Sequence, residues 1–252
     1  MVLLRQRHFL VYISMFRDWL VRVWFALCAL LLVCSEVYAS VTMLGTRVVY
    51  LADAKEKSLT FNNTGEAPVL VVAWTDINNP ESTPETADAP FIVMPPIFRI
   101  NGQQTHVMRL KFTGKALPQD RESLFWLNFL QYPAKSDAIN AESHLTLLVK
   151  SRLKIFYRPQ GLSQDANKTL DVIKISKHGQ SIDVKNTTAY YISVLDAFVD
   201  DGKNQKKIKN TGMIAPYSSV QWILPDHNGT HLTINAINDY GGVFSKVYSL
   251  SH

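Results

Sequence analysis

The chain is organised around one stretch, His144-Leu-Thr-Leu-Leu-Val-Lys-Ser-Arg-Leu-Lys-Ile-Phe-Tyr-Arg158. Apolar side chains recur in it at every second residue, which is the period of a β-strand. They are Leu145, Leu147, Val149, Leu153, Ile155 and Tyr157. Positions of the other parity include the cations Lys150, Arg152, Lys154 and Arg158. Such a strand can complete a core, offer an edge to a partner, or do both along different parts of its length.

The rest of the chain consists of short β-prone segments separated by turn residues. Those before the stretch are Thr46–Leu51, Ser58–Asn62, Val69–Thr75, Phe91–Met94, Thr105–Phe112 and Leu124–Leu130. Those after it are Leu170–Ile175, Ser181–Val184, Tyr190–Leu195, Ser219–Leu224, His231–Asn235 and Val243–Leu250. Residues 118–123 suggest a single helical turn, and residues 78–90 a solvated loop. We predict an all-β chain of two sandwich domains, residues 40–158 and 159–252.

Residues 1–39 are predicted to be a signal peptide. Arg17 and Arg22 precede the apolar run 23–33, and residues 37–39 provide the small residues of a cleavage site after Ala39. The run falls short of the roughly 20 residues that a membrane span needs, although a retained anchor is the alternative. Both cysteines, Cys28 and Cys34, lie in this leader, so the mature chain can form neither a disulfide nor a thiolate metal site.

Composition and side-chain spacing argue against several classes of function. The net charge is +5, and four basic and two acidic side chains belong to the leader, so nucleic-acid binding is not expected. His227 and His231 have a zinc-like spacing but lie in a predicted turn without a third ligand, so no metal is expected. Asp120 and Glu122 lack a nucleophile or an oxyanion site nearby. We expect a non-enzymatic protein without a cofactor.

Four motifs together resemble the periplasmic pilus-assembly chaperones of the chaperone–usher pathway, the PapD-like family. They are Thr46-Arg-Val-Val-Tyr50, Leu117-Pro-Gln-Asp-Arg-Glu-Ser-Leu-Phe-Trp-Leu-Asn128, Ser151-Arg-Leu-Lys-Ile-Phe-Tyr-Arg-Pro159 and Ile237-Asn-Asp-Tyr-Gly-Gly242. The connection 132–143 is short and the mature chain has no cysteine, which is similar to the short-loop class. The resemblance implies two immunoglobulin-like β-sandwich domains in an L-shape with a cleft between them.

The resemblance also implies a function for the opening stretch. Chaperones of this family bind, fold and cap pilin subunits in the periplasm by donating a strand, and they deliver them to an outer-membrane usher for fimbria assembly. The implied donor positions are Leu145, Leu147 and Val149. The implied anchors for the subunit's terminal carboxylate are Arg47 and Lys154, and the implied interdomain charges are Glu122, Arg158 and Asp239.

Other interpretations of the same residues stay open at this point. Taken alone, Arg47 and Lys154 are ordinary surface charges and the alternating apolar row is a core row. A secreted two-domain adhesin or fibre subunit is the alternative function. An exposed apolar edge would also favour a self-capping homodimer of the free protein. Because Val149 and Lys154 differ in parity, we expect a bulge between them that turns both toward one partner.

Overall fold

The computed structural model describes Trp24 and residues 41–134, 147–163, 165–200, 204–225 and 229–250. These residues form two β-sandwiches, each with its own hydrophobic core. Apart from Trp24, the apolar run of the predicted leader lies outside the described residues, as do Ala39, Leu145 and His227. Within the described ranges, no helix has the length and apolarity to cross a membrane.

The first sandwich consists of a four-stranded and a five-stranded sheet. The four-stranded sheet has the order β1-β3-β7-β5, with β1 Val41–Met43, β3 Lys57–Asn63, β5 Phe91–Met94 and β7 Thr105–Phe112. The five-stranded sheet has the order β2-β9-β8-β4-β6, with β2 Arg47–Leu51, β4 Val69–Asp76, β6 Ile97–Ile100, β8 Ser123–Pro133 and β9 Val149–Arg158. Its β2–β9 pair is parallel and its other pairs are antiparallel. Leu127 and Ile155 pack in the core with Phe61, Met108 and Leu110.

The second sandwich consists of a three-stranded and a five-stranded sheet. The first has the order β10-β11-β15, with β10 Lys174–His178, β11 Ser181–Lys185 and β15 Ser219–Ile223. The other has the order β13-β12-β16-β17, with β14 also paired to β12; these strands are β12 Ile192–Asp200, β13 Gln205–Lys207, β14 Met213–Ile214, β16 His231–Ile237 and β17 Val243–Ser249. Ile182 and Trp222 pack in the core with Ala197 and Ile234. The prediction of an all-β chain with two sandwich domains is confirmed.

Two local predictions are wrong. Residues 170–175 do not begin as a strand: a 3₁₀ turn, Ala166–Lys168, leads into the one-turn helix α1, Thr169–Val172. The Asp165 carboxylate caps that turn by accepting from the Asn167 backbone N–H at 2.9 Å. Residues 118–123 form no helical turn, because the backbone N–H of Glu122 donates to the carbonyl of Ala189 in the second sandwich, 2.9 Å away.

Candidate functional site

One edge of β9 is only partly covered. On one side β9 pairs with β8 along nearly its whole length, from Val149 opposite Gln131 to Tyr157 opposite Ser123. On the other side β2 pairs only with residues 154–158. No described strand lies beside residues 149–153 on that second side. Their outward backbone donors and acceptors therefore form an open edge that another strand can join.

The open edge exists because the first two strands, β1 and β2, belong to different sheets of the sandwich. β1 pairs with β3 in the four-stranded sheet, whereas β2 pairs with β9 in the other. The crossing is made at Gly45, whose φ of +96° lies in the region that favours glycine. The Gln131 side chain holds β1 in place by accepting from the Val41 N–H at 3.1 Å and donating to the Val41 carbonyl at 3.0 Å. The segment that could otherwise cover the edge is thus kept away from it.

The apolar row on this strand passes from solvent into the core. Leu147 is 71% exposed and Val149 is 54% exposed, whereas Ile155 is fully buried. All three have the same parity, so the exposed row continues the core-facing row of the sandwich beyond its end. An extended apolar row of this kind is suited to completing the core of a second sandwich.

The expected bulge between Val149 and Lys154 is wrong. The β8–β9 register runs without a shift from Val149 to Tyr157, so the apolar row and Lys154 point to opposite faces of the sheet. The apolar row and Lys154 do not need to share a face, because they contact different parts of the protein. The apolar row continues the core face, while Lys154 lies on the outer face beside Arg47 and Trp126.

Arg47 and Lys154 are brought together as neighbours across the parallel β2–β9 pair. The Arg47 Nη1 donates to the Ile237 carbonyl at 3.0 Å, and its Nε–H is buried without a hydrogen-bond partner in the described structure. Burial lowers the pKa of Lys154, and the charge of Arg47 lowers it further. Burial also lowers the pKa of Arg47, with partial compensation from Asp239. Neither cation forms a salt bridge with a described acidic residue, so the pair is suited to bind an external anion such as a carboxylate.

The three residues named as interdomain charges also meet. Arg158 Nε donates to Glu122 Oε1 at 2.7 Å, and its two terminal nitrogens donate to the Asp239 carboxylate at 2.7 and 3.0 Å. Glu122 also accepts from the Tyr191 backbone N–H at 2.8 Å. Burial raises the pKa of Glu122 although Arg158 opposes the rise. Burial would lower the pKa of Arg158, but Asp239 and Glu122 raise it overall.

The glycine-containing motif at residues 237–242 forms a turn that provides acceptors for both arginines of the site. It positions the Ile237 carbonyl for Arg47 and the Asp239 carboxylate for Arg158. A Cβ on Gly241, whose φ is +88°, would lie 2.8 Å from Thr46 Oγ1. Glycine therefore lets the turn approach the first sandwich closely. A cleft of about 600 Å³ opens here, lined in part by Arg47, Arg158, Asp239 and Tyr240.

Comparison with known proteins now identifies the family. The profile of "Pili and flagellar-assembly chaperone, PapD N-terminal domain" matches residues 40–163. The profile of "Pili assembly chaperone PapD, C-terminal domain" matches residues 168–248. The chain belongs to the family of pili-assembly chaperones. The resemblance inferred from the four motifs is confirmed.

Individual relatives of this chaperone support the same family assignment. It is 36% identical over 210 residues to the chaperone protein FimB/FhaD of Bordetella pertussis, covering 81% of this chain and 86% of that protein. The crystal structure of the YadV chaperone matches with a TM-score of 0.70 and 32% identity, covering 84% of this chain and all of that one. The structure of the Salmonella enterica SafB chaperone in complex with the SafA pilin matches with a TM-score of 0.72 and 26% identity, covering 86% and 99% of the two chains.

One further group of residues in this chaperone was not found by sequence reasoning. Asp76, at the end of β4, is fully buried and accepts from Arg152 Nη2 at 2.7 Å and from Asn128 Nδ2 at 2.6 Å. Arg152 also stacks on Trp126, with its guanidinium carbon 3.9 Å from the ring centroid. Burial would raise the pKa of Asp76, but the hydrogen bonds, chiefly from Arg152, lower it overall. The alternation of β9 reveals Arg152 as an outward cation, but only the register of three strands reveals its partner.

Proposed function

We propose that the mature chain caps pilin subunits by lending them the open edge of β9. The observation that carries this proposal is that the uncovered edge of residues 149–153 ends at two adjacent, partly buried cations, Arg47 and Lys154. An edge offers backbone hydrogen bonds, and the cations offer charge-assisted bonds to a chain terminus. The donor row is Leu147 and Val149, with Leu145 as its proposed continuation.

The proposed anchor implies a direction for the incoming strand. If its terminal carboxylate reaches Lys154, its last residues must lie beside positions 153 to 149, which β2 leaves uncovered. The strand therefore runs parallel to β9 and ends where β2 begins on the same edge. Its terminal carboxylate then faces Arg47 and Lys154 on the outer face, while alternate side chains of β9 enter the core of the subunit.

The Glu122–Arg158–Asp239 network is proposed to hold the two sandwiches so that this anchor is assembled. Arg47 receives its backbone acceptor, the Ile237 carbonyl, from the second sandwich. Arg158 ties β9 to the same turn through Asp239. A change in the relative position of the sandwiches would thus alter the anchor directly.

Several properties follow from the family and belong to the same proposal. The leader is removed after Ala39, the boundary between domains lies between residues 158 and 159, and the mature chain acts in the periplasm without catalysis. The capped subunit passes to an outer-membrane usher, and the free protein covers its apolar edge by dimerising. An adhesin or fibre subunit would leave the two adjacent cations without a role.

Co-purification tests the proposal. The tagged chain, expressed in a fimbriate bacterium that carries its gene, is expected to recover a fimbrial subunit from the periplasmic extract. Arg47→Ala and Lys154→Ala should each abolish recovery with an unchanged circular-dichroism spectrum. Arg109→Ala removes a cation from the other sheet, whose salt-bridge partner among the described residues is exposed Glu56, and should recover the subunit normally. Undiminished recovery by Lys154→Ala would refute the anchor assignment.

A further inference from the structure

A strand that docks on β9 faces a register problem. A slip by one residue would turn every side chain to the wrong face, so the apolar alternation resists it. A slip by two residues restores the alternation and moves the strand by about 6.6 Å. The side-chain pattern alone therefore does not select between registers two residues apart, and the terminal carboxylate has to do so.

A slip of that kind is blocked in one direction. β2 already occupies the edge of β9 from Lys154 to Arg158, so the incoming strand cannot advance past residue 153. In the other direction the terminal carboxylate would move from Lys154 to Arg152, which has the same parity and lies on the same outer face. The cations of β9 thus repeat with the same two-residue period as the slip, and Arg152 is a potential competing anchor.

Other groups of the chain already engage the competing cations: a carboxylate neutralises Arg152, and backbone carbonyls accept from Lys150. Asp76 is fully buried and accepts from Arg152 Nη2 at 2.7 Å, and the guanidinium carbon lies 3.9 Å from the centroid of the Trp126 ring. The next cation, Lys150, donates to the backbone carbonyls of Pro80 and Ser82 at 2.7 and 2.9 Å. Lys154 forms no salt bridge with any described acidic residue. The charge available to a carboxylate is therefore concentrated at Lys154 and Arg47.

We propose that Asp76 fixes the register of the bound strand by neutralising Arg152, so that the terminal carboxylate of that strand binds only at Arg47 and Lys154. The inference rests on the proposed function, because it assumes that those two cations receive the terminus. Asp76 is a positioning residue, which acts through Arg152 and does not touch the subunit. The Arg152 side chain is 19% exposed and stays positively charged when the carboxylate of Asp76 is replaced by an amide, so it can then attract the terminal carboxylate.

Side-chain NMR of the ¹⁵N-labelled mature chain tests the proposal. The probe is the peptide Lys-Thr-Val-Thr-Val-Thr-Val with a free carboxylate, compared with its C-terminal amide. In the wild type, the free acid should shift the Arg47 and Lys154 signals and leave Arg152 in place, and the amide should shift none of them. In Asp76→Asn, the free acid should also shift Arg152, by an amount comparable to the shift of Lys154.

Two further variants separate this role from a structural one. Asp76→Asn combined with Arg152→Gln removes both the neutralising group and the competing cation, so Arg47 and Lys154 should again respond alone. Asp171→Asn breaks a matched Asp–Lys pair with Lys246 in the second sandwich and should behave as the wild type.

Each result decides something. Failure of Arg152 to respond in folded Asp76→Asn, with Arg47 and Lys154 responding, overturns the inference and leaves the anchor intact. A response of Arg152 in the wild type also overturns the inference, and this arm does not depend on whether the variant folds. No response of Arg47 and Lys154 in the wild type overturns the anchor itself and the inference with it.

Discussion

Removing Arg158 should lower the free energy of unfolding of this chaperone considerably, because the buried carboxylate of Glu122 would lose its cationic partner. Glu122 is 3% exposed, and Arg158 is its only cationic partner among the described salt bridges. Removing one partner of a buried ion pair typically costs about 3–5 kcal/mol. We expect Arg158→Met to lose an amount in that range at pH 7.5, measured by urea unfolding of the mature chain with tryptophan fluorescence.

The dependence of that loss on pH identifies its cause. Burial already raises the pKa of Glu122 above its ordinary value, and loss of Arg158 should raise it further. A carboxyl whose pKa is raised in the folded state favours folding when protonated. The stability of Arg158→Met should therefore increase on acidification from pH 7.5 to 5, and fall as the pH rises through the raised pKa.

Two variants control this experiment. Adding Glu122→Gln to Arg158→Met should recover about half of the loss or more, because no buried charge is then left unpaired. Arg121→Met removes a neighbouring arginine whose side chain is 42% exposed, which pairs with exposed Asp120 and lies over the Tyr217 ring, and should cost no more than about 1 kcal/mol. A loss below about 1 kcal/mol in Arg158→Met, or a further loss on adding Glu122→Gln, would refute the reasoning.

Three other changes test separate parts of the structure. Leu147→Asp should abolish subunit recovery at unchanged thermal stability, because Leu147 is 71% exposed. Ile97→Asp, at an exposed site on β6, should fold equally well. Unfolding of Leu147→Asp would count against a free donor row. Gly241→Ala should lower stability by about 1–3 kcal/mol through its contact with Thr46, more than Gly179→Ala, where no atom lies within 4 Å; equal thermal shifts would contradict this. Gln131→Met should speed hydrogen exchange at Val41, because both hydrogen bonds to its backbone are lost, and unchanged protection would show that β1 is held otherwise.

Much of the fold follows from local pattern. The alternation in the stretch 144–158 predicts β9, and continuous apolar runs such as 69–75 predict buried strands. The strands that pattern analysis missed are short or polar: β1 has three residues, β6 has four, β14 has two, and β13 is Gln-Lys-Lys. Such strands are formed by pairing with a neighbour, and a single-sequence pattern does not contain that pairing.

Some parts of the site could likewise be predicted from local sequence, and others depend on tertiary pairing. Arg47, Lys154, Glu122, Arg158 and Asp239 could be named from motifs, and the structure brings each set together. The residues at which the edge is open could not be predicted, since they depend on a change of sheet at Gly45 and on the Gln131 side chain. The expected bulge failed because it assumed that the apolar row and Lys154 share one face. The Asp76–Arg152 pair joins residues 76 positions apart, whose contact depends on the strand register.

Amide hydrogen exchange on β9 tests the central claim most directly. The mature chain would be compared free and in complex with the subunit that it recovers from the periplasm. We expect the amides of residues 149–153 that point away from β8 to become strongly protected in the complex, with little change in β14 of the second sandwich. Unchanged exchange at residues 149–153 in a stable complex would contradict the claim that the open edge of β9 binds the subunit.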